Sequence, residues 1–122
     1  MKLSPYILVE NVNDALHFYH ETFGGEKIIL NEHQGKVLHA ELKIQEDVVI
    51  HLSDTYGKPV QNDGNQILLT FDHPGTQQRI FDALSEQGNP HMPLNKTFFN
   101  AIHGQVKDRY GVNWLMNCFV KE

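Results

Sequence analysis

The chain has 122 residues, 40% of them hydrophobic, and 15 acidic against 10 basic side chains leave a net charge of -5 with the eight histidines neutral. That length suits one compact domain, and basic residues scattered through an acidic chain disfavour duplex nucleic acid or an anionic membrane as partner. No stretch approaches the roughly 20 apolar residues of a membrane span, so a cytoplasmic location is expected, and the lone Cys118 rules out an intrachain disulfide framework and a multi-cysteine zinc site.

Leu3 to Val9 is rich in strand formers and is followed by Asn11 and Asn13, candidate caps for a helix from about Asp14 to Thr22 that Gly24-Gly25 stops. Lys27 to Glu32, Lys36 to Ile44 and Asp47 to Ser53 read as three strands, the last two joined by a tight Gln45-Glu46 corner. Tyr56 to Asn65, with Gly57, Pro59, Asp63 and Gly64, reads as a linker. Beyond it the order returns. Gln66 to Phe71 is a strand and Gly75 to Gln87 a helix, entered through an Asp72-His73-Pro74 turn and broken at Gly88-Asn89-Pro90. Strands near Pro93 to Phe98, Ile102 to Lys107 and Asn113 to Phe119 complete it, with Phe98 and Phe99 facing opposite ways in the first of these.

The return is also visible residue by residue. At a constant offset of 64, His39 falls on His103, Lys43 on Lys107 and Val48 on Val112, with the apolar positions in phase. An internal repeat of this kind defines the fold class. The expectation is α+β: two βαβββ repeats, about 1-55 and 64-122, within a single domain, forming a cupped mixed sheet around a cleft with the helices on the outer face.

Because successive strand side chains point to opposite sides of a sheet, each strand can be divided into two faces. Ile7 and Val9, Ala40 and Leu42, Ile50 and Leu52, Ile67 and Leu69, and Trp114, Met116 and Cys118 form apolar faces suited to cover by the helices. Trp114 and Cys118 are therefore expected in the core. The opposite face holds Tyr6, His39, Glu41, His51, Ser53, Gln66, His103, Gln105, Asn113 and Asn117, interleaved with Leu8, Val49, Leu68 and Leu115. A face that merely met water would be dominated by Lys and Glu, whereas imidazoles, amides and hydroxyls mixed with aliphatics line small-molecule sites. These ten polar residues are the candidate binding set, and His51 is the candidate general base, because imidazole has the right intrinsic pKa. His17 and His20, three apart on the first helix, read as solvated surface residues.

The βαβββ-βαβββ order, the opening Pro5-Tyr6-Ile7-Leu8-Val9-Glu10 and the helix ending Phe18-Tyr19-His20-Glu21-Thr22-Phe23-Gly24-Gly25 together resemble the vicinal oxygen chelate superfamily of glyoxalase I, bleomycin-resistance proteins and extradiol dioxygenases. His39-Ala40-Glu41-Leu42-Lys43-Ile44 and the tail from Val106 to Asn117 are similar to its PhnB-like branch, whose members often carry a 3-demethylubiquinone methyltransferase-like label. The resemblance implies a homodimer. It also implies metal ligands at the positions of Ser4, His51, Gln66 and Leu115, of which only His51 is a good ligand for a first-row metal. No metal and no other cofactor is accordingly expected, and the partner is an unidentified small organic molecule. Two other functions stay open: a metal-dependent lyase or isomerase built on His51 with His39 and His103, and a resistance protein that sequesters a drug.

Overall fold

The computed structural model describes residues 1–60, 64–97 and 99–120. It contains β1 (Tyr6–Val9), α1 (Val12–Phe23), β2 (Glu26–His33), β3 (Lys36–Gln45) and β4 (Val48–Asp54), then β5 (Gln66–Phe71), α2 (Pro74–Ser85), β6 (Asn89–Lys96), β7 (Ala101–Lys107) and β8 (Asn113–Phe119). The chain divides into two compact units, Met1–Val60 and Gln61–Glu122, each with the βαβββ order expected from the repeat.

In the first unit the strand order is β1-β4-β3-β2, with β1 parallel to β4 and the other pairs antiparallel. The second repeats this as β5-β8-β7-β6, with β5 parallel to β8. A parallel pair cannot be closed by a hairpin, so in each unit the chain must run through the helix and two further strands before the fourth strand returns beside the first. α1 packs on β3 and β4, where it buries Ala15, Leu16 and Tyr19 against Ala40, Leu42 and Leu52, all at most 4% exposed. α2 does the same on β7 and β8 with Ile80, Phe81 and Leu84. Trp114, Met116 and Cys118 are buried on the second apolar face, as expected.

Local chemistry explains the ends of these elements. Asn11 caps α1 by accepting the Asp14 N–H at 3.1 Å, which is the role open to either asparagine in the sequence. Asn13 instead accepts the Val37 N–H at 3.1 Å and ties α1 to the start of β3. Gly24 ends the helix at φ 76°, and Gly25 follows at φ 94° with its Cα so close to the Lys43 carbonyl that a side chain would collide with it. Pro74 occupies the first turn of α2, where its missing N–H costs nothing.

The largest departure is β6, which starts at Asn89 rather than near Pro93. Gly88-Asn89-Pro90 reads as a break, but β6 is an edge strand bonded only to β7, and an edge tolerates a residue without an N–H. Phe99 sits in the turn after β6 rather than in the strand, and Phe98 lies outside the described residues. No described helix is long and apolar enough to cross a membrane.

Two buried carboxylates, Asp108 and Asp54, yield measurable consequences. Asp108 accepts the backbone N–H groups of Tyr110 at 2.8 Å and Val112 at 3.1 Å through Oδ1, while Oδ2 accepts the Trp114 indole N–H at 2.8 Å. Trp114→Phe keeps much of the packing but removes that donor, so it is expected to lower stability by about 1–3 kcal/mol in urea unfolding. Asp54, at the end of β4, is held below the usual carboxylate range by the hydrogen bond from Lys36 Nζ at 2.9 Å and then by the Tyr56 N–H. A depressed folded-state pKa stabilises at neutral pH and is lost as pH falls through that value. Lys36→Met should therefore lower the melting temperature at pH 7, by an amount that shrinks as unfolding is repeated at progressively more acidic pH.

Candidate functional site

Among the described residues, each sheet packs one face on the helix of its own unit, and no helix of that unit packs on the other face. On the first sheet, strand register decides which polar side chains meet on the open face. His51 is paired with Glu41 across the β3–β4 ladder and with Tyr6 across the β1–β4 ladder, and His39 is paired with Ser53. Directly opposed residues on one face are close enough for their side chains to interact. Five of the ten candidate binding residues, Tyr6, His39, Glu41, His51 and Ser53, are thus gathered on three adjacent strands.

The side chains form a connected line. His51 Nε2 lies 3.3 Å from Glu41 Oε2, both side chains about three-quarters buried at 24% and 23% exposure. His51 Nδ1 lies 3.0 Å from His39 Nε2. The Tyr6 ring is 58% exposed and lies over both imidazoles, 6.0 Å from His51 with the rings 15° from parallel and 5.4 Å from His39 at a tilt of 53°. Val49 and Ser53 on the same face are buried, at 4% each, and the Ser53 hydroxyl donates to the Asp54 carbonyl at 3.3 Å. Ser53 therefore belongs to the floor of this face rather than to its open surface.

The partner that orients His51 is Glu41, and this is the relation that inspection of the sequence missed. Counting back evenly from Gln45 opposite Val48 places Leu42 opposite His51. A register shift between Lys43 and Gln45 moves Glu41 there instead.

The second sheet carries the same plan with different chemistry. His103 is paired with Asn117, and its Nδ1 lies 2.7 Å from Asn117 Oδ1, while its Nε2 lies 3.1 Å from Gln105 Nε2. Asn117 can only accept through Oδ1 and Gln105 can only donate through Nε2, a pairing that selects the His103 tautomer with its proton on Nδ1. At the position equivalent to His51 stands Leu115, flanked by Leu68 and Gln105 where the first sheet has Tyr6 and Glu41. Gln66 is exposed at the start of β5, opposite the half-buried Asn113. His17 is exposed on α1, and His20 Nε2 lies 3.2 Å from the Gly25 carbonyl oxygen.

Residues 3–116 match the Glyoxalase/Bleomycin resistance protein/Dioxygenase superfamily. The chain belongs to that superfamily. A Pseudomonas aeruginosa protein of known structure is 30% identical and superposes with a TM-score of 0.84, covering 98% of each chain. The YjdN protein of Escherichia coli K12 is 27% identical over 140 aligned positions, covering 96% of this chain and 95% of that protein. A PhnB protein of Bacillus cereus, 21% identical with a TM-score of 0.79 over 97% and 99% of the two chains, shares the fold. The PhnB-like branch suggested by the tail motif thus has a structural counterpart.

The metal set implied by the resemblance does not fit these residues. Of Ser4, His51, Gln66 and Leu115, the leucine has no donor atom, and both ring nitrogens of His51 are already engaged by Glu41 and His39. Among the described residues no group of three or more His, Cys, Asp or Glu is arranged to hold a metal ion.

Proposed function

We propose that the chain binds a small, planar organic molecule against the open face of the first sheet, without the four-ligand metal site of its superfamily. The observation that carries this reading is the exposed Tyr6 ring lying over a His39–His51–Glu41 line on one face. An exposed aromatic ring supplies a stacking platform, and imidazoles held in place by other side chains supply directional polar contacts at little ordering cost. Apolar Leu8 and Val49 beside them fit a site that takes an organic body rather than a hydrated ion. Membership of a superfamily that includes resistance proteins is compatible with binding without chemistry. The cluster also narrows the candidate catalytic role of His51, because the imidazole with an uncommitted nitrogen is His39.

Native mass spectrometry of tag-free protein, compared with its denatured mass, tests the reading and reports the number of subunits together. The expected result is an organic mass retained by the wild type and lost from Tyr6→Ala. Retention of a stoichiometric first-row metal ion that His51→Ala abolishes would overturn it in favour of the metalloenzyme.

A further inference from the structure

The hydrogen-bond polarity of the first sheet's imidazole pair can be worked out from its anchored end. An ionised carboxylate accepts hydrogen bonds and donates none, so the Glu41 carboxylate facing His51 Nε2 at 3.3 Å selects the His51 tautomer with its proton there. The other tautomer would point a lone pair at the carboxylate. With its proton on Nε2, neutral His51 presents a bare Nδ1, and the only way to make the 3.0 Å contact to His39 is for His39 Nε2–H to donate. His39 is then also fixed, with its proton committed inward and a lone pair on Nδ1. No hydrogen-bond partner is found for that nitrogen among the described residues, and the half-buried ring lies 5.4 Å from the exposed ring of Tyr6.

We propose that His39 Nδ1 is a fixed hydrogen-bond acceptor beside the Tyr6 ring, which makes the ligand class of this site planar molecules that present an N–H or O–H donor. This rests on the small-molecule reading above and specifies the polar group that must face the protein. A carboxylate or phosphate placed at the same point would meet a lone pair with Glu41 behind it. The second sheet has no equivalent. Both nitrogens of His103 are satisfied by Asn117 and Gln105, so the imidazole conserved in position across the repeat is neutralised there as a ligand contact.

Two experiments on the whole chain decide the matter. Long-range proton–nitrogen correlation spectra of histidine-labelled protein at about pH 8, above the ordinary imidazole range, should show His39 and His51 with the proton on Nε2 and bare Nδ1. In Glu41→Leu that selection should relax to a mixture of tautomers at both rings. A proton on His39 Nδ1 in the wild type would overturn the proposal. Titration with indole and with 1-methylindole, which differ in one N–H donor, should then show several-fold tighter binding of indole, a difference that His39→Ala removes. Equal affinity for the two, or binding of neither, would overturn the assignment of ligand class. The native-mass result stands apart from both, since it reports whether the face holds an organic molecule and not what that molecule presents.

Discussion

The arrangement depends on the register of β3 against β4. A strand's side chains alternate with period two, so a slip of one residue would exchange the two faces of the sheet. In the observed register Ala40, Leu42, Ile50 and Leu52 are all at most 3% exposed beneath α1. Exposing the larger of these would cost about 1.5–3 kcal/mol each. The same burial that holds the core therefore sets Glu41 opposite His51 and His39 opposite Ser53, so the polar line is positioned by residues that take no part in it. β1 completes the set because its parallel pairing with β4 brings Tyr6 to His51, while Ile7 and Val9 point to the core.

The two units show how one architecture can carry unequal chemistry. At matched positions the first has His39, Glu41 and His51, and the second has His103, Gln105 and Leu115. Glu41 orients His51 and through it His39, whereas in the second unit Gln105 donates to His103 Nε2 and Asn117 accepts from its Nδ1. The open Nδ1 of His39 and the closed one of His103 differ because Asn117 stands where the first unit has Ser53, whose hydroxyl turns to the Asp54 carbonyl. That difference is compatible with the superfamily fold, which constrains the backbone far more than the site.

Much of this was legible from periodicity alone. The two βαβββ units, the apolar faces, the buried Trp114 and Cys118 and the stop at Gly24 all follow from local rules that tertiary packing reinforced. The shared face of Tyr6, His39, Glu41 and His51 was legible for the same reason. What was hidden depended on non-local geometry. The shift between Lys43 and Gln45 decides which residue orients His51, and no local signal marks it. Asn13 had the chemistry of a cap, but only the approach of β3 shows that it bonds Val37 instead. The start of β6 was obscured because Pro90 breaks an interior strand but not an edge.

The central claim is that register places Glu41 and Tyr6 on either side of His51. Nuclear Overhauser spectra of the free protein in solution measure this directly. The account predicts cross-strand contacts joining Glu41 to His51 and His39 to Ser53, together with ring contacts from Tyr6 to His51. Contacts joining Glu41 to Ile50 or Leu52 in place of His51 would place the carboxylate on the other face of the sheet and contradict it.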